Sequence, residues 1–478
     1  MKPIDERLLE DAAAYIGEWV EYRRRTLAIP GIAVALGFRG RLLLSRAYGM
    51  ADLERGVPLT TDHVFRIASH SKTFTATAAM QLVEQGRLGL DERAGERLDW
   101  LPSGPGELGR VTVRQLLGHA AGVIRDGEDG GFWQLEREFP DAEELRQALA
   151  ATPPVYPASQ RFKYSNFGYS LLGMLIEAAS GTPYNAYVRH HIVDRLGLAS
   201  TGPELDDFAR ERLATGYTSD HYGLPRLPLD HADTRAMSPA TGFYSTAEDL
   251  CRYGAAHFLG NEELLSDESK REMQHELWKA EGAPISYGLG FDVVTVGERR
   301  LIGHGGGFPG FITSTKIDPE DQLVLVALTN ASDGPAAELT TGMAAIVNRA
   351  LAAEPAASEA AAAELDRFTG RFWSLSGGAT DVVRFGGQLL GLGPELPTPV
   401  DPAIELTVEG PDALRISRAP SFASPGERVR YVFGEGGRVE RVHWAAAHWY
   451  PWETFEAKVL GSIRSSRRGP RRERLPAS

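Results

Sequence analysis

The chain of 478 residues is long enough for two or three domains, and its 42% hydrophobic content is typical of a globular protein with a sizeable core. The formal net charge of -13 argues against a nucleic-acid partner, and the single cysteine, Cys251, excludes an intrachain disulfide. No stretch approaches about 18 uninterrupted apolar residues, and the N-terminus lacks the apolar segment of a signal peptide. We therefore expect no membrane partner and a cytoplasmic location.

The first part of the chain predicts a helix, a hairpin and a second helix. Apolar residues at helical spacing mark a helix over residues 5–27. The runs IAVALGF and RLLLSRAYG are typical of two strands joined by a turn at residues 39–40. Residues 69–85 form the next predicted helix. From about 110 to 280, helical patterns alternate with loops rich in proline and glycine.

Strand patterns return later in the chain, in LGFDVVTV, RRLIGHGG, FITSTKID and QLVLVALT, and a last helix covers about 336–353. Strands therefore occur early and late, with helices between them. This order predicts that both ends of the segment share one sheet and that the helical region packs beside it.

The composition changes in the last quarter of the chain. Residues 352–368 are rich in alanine and glutamate and predict a linker or helical spacer, and short alternating strands with glycine turns follow. We predict a first domain over 1–353, a linker over 354–365, a small all-β, barrel-like domain over 366–460 and a basic disordered tail over 461–478.

The stretch FRIASHSKTF places a serine and a lysine three positions apart. If it opens a helix, Ser69 and Lys72 lie on one face, whereas Ser71 and Lys72 point about 100° apart. A helix N-terminus also offers free N–H groups to a developing oxyanion. Ser69 is therefore the candidate nucleophile and Lys72 its activator. The alternative is a helix cap beside a surface charge, although no other lysine here has a serine three residues before it.

Two further elements can complete such a site. In FKYSNFGYSLLG, Tyr164 can relay a proton to a leaving group, and the amide of Asn166 can hold both the lysine and a substrate carbonyl. In LIGHGGGFPGF, His304 precedes a run of glycines, of which Gly306 and Gly307 are candidates to approach a substrate closely. A packed aromatic with a capping asparagine, and a plain glycine-rich turn, are the alternatives.

Together and in this order, these elements resemble the serine hydrolases related to class C β-lactamases and D-alanyl-D-alanine carboxypeptidases, a group that includes D-aminopeptidases, amidases and carboxylesterases. The similarity covers about residues 10–350. It implies an α+β fold of the β-lactamase/transpeptidase type, in which an antiparallel sheet is flanked by helices beside a mainly helical region, followed by the small all-β domain.

The resemblance also implies roles. Ser69 would form an acyl-enzyme, and Lys72 and Tyr164 would share the base and acid work. Asn166 would orient Lys72 and the substrate. The N–H groups of Ser69 and Gly307 would bind the oxyanion, with Gly306 and His304 lining the site. His119 in LLGHAAG matches a recurrent position and is interpreted as structural. No cofactor or metal is implied.

The glycine-rich element LIGHGGGFPGF differs from the motif found in many members of this family. It has His304 where many β-lactamases have lysine, and Gly305 stands where a hydroxyl commonly helps to bind the substrate carboxylate. A charge-assisted hydrogen bond of about 1.5–3 kcal/mol is lost with that hydroxyl. We therefore favour an amide, a short peptide with a free N-terminus or an ester over a β-lactam or a D,D-peptide.

Several functions are compatible with these motifs. A peptidase or amidase is favoured, with a carboxylesterase or transacylase of secondary metabolism next, and then a β-lactamase or D,D-carboxypeptidase. A catalytically silent binding module is the alternative outside enzymes. The expected partner is a small molecule or short peptide, and homo-oligomerisation through the β domain is left open.

Overall fold

The computed structural model describes residues 4–279, 282, 285–420 and 424–466. Its internal contacts divide the chain into two compact units, Arg24–Ala344 and Met1–Arg23 together with Ala345–Ser478. The first helix thus groups mainly with the C-terminal residues, and the predicted domain limits stay predictions. Of the predicted disordered tail, Gly461–Ser466 is helical and residues 467–478 lie outside the described residues.

The strands fall into an early set, a late set and a C-terminal set. In chain order they are β1 (Gly31–Phe38), β2 (Arg41–Asp52), β3 (Val57–Pro58), β4 (Phe65–Arg66), β5 (Gly216–Tyr217), β6 (Pro228–Leu229), β7 (Tyr244–Ser245), β8 (Trp278–Lys279), β9 (Ile285–Tyr287), β10 (Asp292–Val296), β11 (Arg299–Phe308), β12 (Phe311–Asp318), β13 (Leu323–Thr329), β14 (Gly370–Ser374), β15 (Gly378–Phe385), β16 (Gln388–Leu392), β17 (Ile404–Gly410), β18 (Ala413–Arg418), β19 (Arg428–Phe433), β20 (Val439–Trp444) and β21 (Ala447–Trp449).

Most of the helices lie between β4 and β8. In chain order they are α1 (Glu6–Thr26), α2 (Ser71–Glu84), α3 (Ala94–Arg97), α4 (Val113–Leu117), α5 (Ala142–Ala151), α6 (Asn166–Ser180), α7 (Tyr184–Val188), α8 (Asp207–Glu211), α9 (Ser238–Thr241), α10 (Ala247–Ala255), α11 (Asp267–Gln274), α12 (Ala336–Leu351), α13 (Glu359–Asp366), α14 (Trp452–Thr454) and α15 (Gly461–Ser466). Helix α13 occupies most of the predicted linker.

The early and late strands form one antiparallel sheet, as predicted. Among the described residues it has nine strands in the order β3-β2-β1-β13-β12-β11-β10-β9-β8. Its centre pairs β1 with β13, Ile32 opposite Thr329, and both strands are buried along their whole length. Continuous apolar strands of this kind form the middle of a covered sheet, and α10 packs on β1 and β13. The sheet therefore joins residues that are some three hundred positions apart.

Helix α2 forms the centre of the helical region. Every residue from Ser71 to Leu82 is buried, and the helix packs against α6 and α9. A helix that is covered on all sides normally carries apolar side chains, so the buried Lys72 on it needs polar partners.

The C-terminal strands β14 to β21 form an antiparallel meander in chain order, with a core of its own that includes Phe372, Leu414 and Trp444. Trp373 in β14 exchanges two backbone hydrogen bonds with Tyr450, of 2.8 and 3.0 Å. This exchange nearly closes the sheet into a barrel, which leaves few free strand edges. The predicted all-β region is confirmed.

Candidate active site

Ser69 stands at the entry to α2, on a single 3-10 turn formed by Ala68–His70. Ala68, just before it, has a left-handed backbone with φ of 47°, which is uncommon for a residue other than glycine and turns the chain sharply. Ser69 is half-buried, whereas the neighbouring Ser71 and Lys72 are buried. The fold thus presents one hydroxyl at the accessible start of an otherwise covered helix.

Ser71 is occupied by the backbone. Its Oγ donates to the carbonyl of Ala68 at 2.5 Å and accepts from the N–H of Phe243 at 3.0 Å. The Nζ of Lys72 lies 3.1 Å from the Oγ of Ser69 instead. The contact that helical spacing predicts between residues 69 and 72 is therefore present, and Ser71 acts as a link between α2 and the segment before β7.

Lys72 is fully buried, and three oxygens surround its amine. Besides Ser69 Oγ, these are Asn166 Oδ1 at 2.7 Å and the carbonyl of Ala240 at 2.8 Å. Burial lowers the pKa of Lys72 well below its usual value; Asp126 opposes this shift and Arg125 adds to it. The amine is consequently much easier to deprotonate than an exposed lysine.

Tyr164 reaches the same hydroxyl from the loop before α6. Its Oη lies 2.8 Å from Ser69 Oγ, and the Nζ of Lys72 stands 4.8 Å from the centre of its ring. Burial raises the pKa of the Tyr164 phenol above its usual value, and the hydrogen bond with Ser69 reduces this shift only in part. The phenol is therefore protonated at neutral pH and donates to Ser69.

Asn166 is the first residue of α6, after Ser165 caps the helix through Gly168 N–H. Its carbonyl oxygen faces Lys72, and its Nδ2 donates to Asp126 Oδ1 at 2.7 Å. A carboxylate accepts hydrogen bonds only, so this contact fixes which end of the amide points to the lysine. Asp126 thereby positions Asn166.

His304 lies on β11 and is neutral at physiological pH, because burial lowers its pKa to about 4. Its Nδ1 is 2.6 Å from the carbonyl of Gly305 and its Nε2 is 3.1 Å from the Oη of Tyr287. A carbonyl can only accept, so Nδ1 carries the proton and Nε2 accepts from Tyr287. The ring centre stands 6.4 Å from that of Tyr164, and both ring nitrogens have protein partners.

The predicted glycines of β11 differ in their surroundings. Gly306 is buried, and a Cβ built on it would lie only 2.1 Å from the carbonyl oxygen of Ile67. Gly307 is exposed, and a Cβ on Gly305 would make only an ordinary van der Waals contact, with the carbonyl oxygen of Thr313 at 3.6 Å. Gly306 therefore allows β11 to run close to the segment that carries Ser69, while Gly307 is accessible from solvent.

Three members of the site, Arg125, Asp126 and Tyr287, were not predicted from the sequence. They lie in loops and at a short strand, where no periodicity or motif singles them out. His119, interpreted as structural, does support the site: its Nδ1 accepts from Ser165 N–H at 3.1 Å and its ring lies 4.3 Å from that of Tyr164.

Two groups of described residues have the ligand types of a metal site, Glu204–His231–Asp233 and Asp220–His221–Asp333. In the first, Glu204 pairs with Arg66, and in the second, Asp333 pairs with Arg226 at 2.5 Å. These carboxylates thus already have cationic partners, and neither group includes a residue of the Ser69 site.

A hydroxyl between a buried amine and a phenol is the arrangement of an activated nucleophile with a proton donor beside it. The chain belongs to the Beta-lactamase family, whose sequence profile matches residues 16–348. The fold is accordingly of the β-lactamase/transpeptidase type, and the resemblance seen in the motifs is confirmed at the level of the family. No helix in the described part of the chain is long and apolar enough to cross a membrane.

Relatives share this architecture at modest identity. A penicillin-binding protein of Bacillus subtilis (strain 168) is 27% identical over 348 residues, covering 70% of this chain and 73% of that protein. The chain spans 64% of the length of further curated relatives, at 23% identity. The crystal structure of D-amino acid amidase from Ochrobactrum anthropi SV3 matches with a TM-score of 0.60 and 25% identity over 71% of this chain and 98% of that one. An octameric penicillin-binding protein homologue from Pyrococcus abyssi matches with a TM-score of 0.62 and 21% identity over 91% and 99%.

Proposed function

We propose that this protein is a serine hydrolase that forms an acyl-enzyme on Ser69 and cleaves an amide or short-peptide bond. The observation that carries the proposal is the position of Ser69 Oγ, 3.1 Å from the amine of Lys72 and 2.8 Å from the phenol of Tyr164. Membership of a family of serine hydrolases and similarity to an amidase structure support it.

The protonation states favour Lys72 as the base. In its neutral form the amine donates its two N–H groups to the two carbonyl oxygens around it, of Asn166 and Ala240, and its lone pair faces the O–H of Ser69. The lowered pKa of Lys72 favours this neutral form. The raised pKa of Tyr164 makes the phenol a proton donor rather than a base.

The steps of the reaction follow from the assignment of Lys72 as base and Tyr164 as acid. Ser69 Oγ bonds to the substrate carbonyl carbon while its proton passes to Lys72, and the carbonyl oxygen becomes an oxyanion. The bond to the leaving nitrogen or oxygen then breaks, and that atom takes the proton of Tyr164, which Lys72 replaces. In deacylation, water attacks the acyl carbon and gives one proton to Lys72. The bond between the acyl carbon and Ser69 Oγ then breaks, Ser69 Oγ takes the proton of Tyr164, which Lys72 replaces, and the acid is released.

The oxyanion would be held by the N–H groups of Ser69 and Gly307. The exposure of Gly307 and the close approach of β11 to Ile67 support this assignment. Loss of one such donor typically costs about 3–4 kcal/mol of transition-state stabilisation.

The neutral His304 weighs against a β-lactamase or a D,D-carboxypeptidase. Both of its ring nitrogens are engaged, and Gly305 offers no hydroxyl, so neither of these two residues supplies a cation or a free donor for a substrate carboxylate. An ester is the second candidate substrate, with hydrolysis or acyl transfer as the outcome.

We also propose a homo-oligomer, for which the octameric homologue from Pyrococcus abyssi is the support.

Covalent labelling tests the proposal. Wild type, Ser69→Ala and Ser71→Ala are treated with a fluorophosphonate and with a fluorescent penicillin, and adducts are measured by intact mass and peptide mapping. We expect a phosphonate adduct on Ser69 in wild type and in Ser71→Ala, and none in Ser69→Ala. No adduct with either reagent would favour the silent binding module.

Substrate class is tested with aminoacyl 4-nitroanilides of both configurations, 4-nitrophenyl esters and nitrocefin, each against wild type and Ser69→Ala. Turnover of anilides that depends on Ser69 supports the amidase or peptidase. Turnover of esters alone favours the esterase. Rapid turnover of nitrocefin at low enzyme concentration would contradict the proposal that amides and esters are better substrates than β-lactams.

A further inference from the structure

An apolar cavity of about 250 Å³ opens beside the general acid. Tyr164 and His304 line it together with Ser286, and its remaining apolar surface comes from Phe162, Trp278, Ile285 and Tyr287. A cavity of this size and lining suits one aromatic ring or a branched alkyl group. The steps proposed above do not use it.

The charge of the cavity lining also restricts which groups can bind there. Asp292 is the one charged side chain among the described residues that line it, since His304 is neutral. The Nζ of Lys316 donates to Asp292 Oδ1 at 2.9 Å, but Lys316 does not line the cavity. A bound group therefore faces apolar rings, hydroxyl groups and a carboxylate, and a second negative charge there would meet Asp292 and no cation among the described lining residues.

The position of the cavity relates it to one half of the substrate. In the proposed mechanism the carbonyl oxygen lies at Gly307, and the leaving atom lies at the phenol of Tyr164, which also lines the cavity. His304 precedes Gly307 by three residues on β11, which corresponds to about 10 Å along an extended strand. The cavity thus lies toward the leaving group and away from the oxyanion.

We propose that this cavity is a leaving-group pocket that selects an uncharged aromatic or branched apolar alcohol or amine and rejects an anionic one. The proposal rests on the acyl-enzyme mechanism above. When the bond between the acyl carbon and the leaving atom breaks, that atom takes the phenol proton of Tyr164. The alcohol or amine then departs through a site whose walls match its apolar surface.

Three esters of one acid test the selectivity: methyl, benzyl and 4-carboxybenzyl butyrate. For wild type we expect kcat/KM for the benzyl ester to exceed that for the methyl ester by at least about tenfold, because apolar pockets discriminate by about 10–200-fold for a single methylene. The 4-carboxybenzyl ester should lose about tenfold relative to the benzyl ester. Equal rates for all three esters would overturn the proposal.

Two substitutions test separately the apolar and the electrostatic contributions to this selectivity. Trp278→Ala should reduce the benzyl-to-methyl ratio of kcat/KM by about fivefold or more. Trp100→Ala, at a half-buried tryptophan that does not line this cavity, is the matched control. Asp292→Asn should remove the penalty on the 4-carboxybenzyl ester, and Asp292→Asn with Lys316→Met removes both charges if the single variant does not fold.

A binding measurement makes the test independent of turnover. Benzyl alcohol should slow fluorophosphonate labelling of Ser69, and 4-(hydroxymethyl)benzoate should not at equal concentration. Labelling of Ser69 that neither alcohol slows, or that both slow equally, contradicts the pocket while the acyl-enzyme proposal stands. Absence of any labelling at Ser69 contradicts the acyl-enzyme and the leaving-group assignment with it.

Discussion

Asp126 accepts a hydrogen bond from the amide of Asn166 at 2.7 Å, and the other end of that amide accepts from the amine of Lys72 at 2.7 Å. A carboxylate that no motif marks is thus coupled through one side chain to the proposed base. Asp126 acts on Lys72 in two ways, by holding Asn166 in one orientation and by its negative charge, which favours the protonated amine.

This coupling predicts opposite pH effects for two neighbouring residues. Lys72 acts as a base only when neutral, so kcat/KM should rise with pH through its pKa. Asp126→Asn removes a charge that raises this pKa, so the rising limb should move to lower pH; Arg125→Gln removes a charge that lowers it, so the limb should move to higher pH.

The measurement is the pH profile of kcat/KM for one substrate with wild type and both variants. We expect the plateau for Asp126→Asn to fall by no more than about tenfold, because the substituted amide still offers an oxygen to Asn166. Shifts in the same direction for both variants would show that charge at these positions does not act through Lys72.

The assignment of Tyr164 as the acid predicts a dependence on the leaving group. Tyr164→Phe should lower kcat/KM for an alkyl ester or an amide by about 10²–10⁴-fold, because these leaving atoms need a proton. A 4-nitrophenyl ester should lose far less, since 4-nitrophenolate departs without one. Rates for both substrates with wild type and Tyr164→Phe give the comparison, and equal losses would argue for a role of Tyr164 in activating Ser69.

Two adjacent glycines provide a matched pair. Gly306→Ala places a Cβ 2.1 Å from the carbonyl oxygen of Ile67, so β11 must move away from the segment that carries Ser69. A displacement near 1 Å can cost about a hundredfold, and we expect at least that loss in kcat/KM. Gly305→Ala meets its nearest neighbour at 3.6 Å and should stay within about threefold of wild type.

These variants are compared by kcat/KM after thermal unfolding has shown that both are folded. Equal activity of the two would mean that the close approach of β11 to Ile67 is not required for the reaction.

The buried Arg66 predicts a large effect on stability. Its guanidinium is fully buried and pairs with Glu204, and it also donates to the carbonyl of Ala232 at 2.9 Å. Arg66→Met leaves Glu204 without its main cationic partner and should lower the free energy of unfolding by about 3–5 kcal/mol. Arg146→Met is the control, because Arg146 is exposed and 3.9 Å from Glu143, and it should change stability by less than about 1 kcal/mol.

Urea denaturation followed by far-UV circular dichroism gives both values. A loss below about 1 kcal/mol for Arg66→Met would mean that the pair is replaceable by an apolar side chain of similar length.

Local patterns determined a large share of the fold. The hairpin β1–β2 and the strands β10 to β13 follow from apolar runs bounded by turns that contain glycine or proline, and the order of strands and helices was enough to place both ends in one sheet. The pattern could not give the near-closure of the C-terminal barrel, because that depends on Trp373 meeting Tyr450, two residues far apart in sequence.

The sequence by itself determined the pair Ser69 and Lys72, because one turn of helix is enough to bring residues three apart into contact. It also marked Tyr164, Asn166 and His304, though not their distances. Only the tertiary structure decided that the phenol meets the hydroxyl, that Asp126 orients Asn166 and that Tyr287 occupies the second nitrogen of His304. It also decided the protonation states, because these depend on burial by distant segments, and burial is a property of the folded chain that no short stretch of sequence contains.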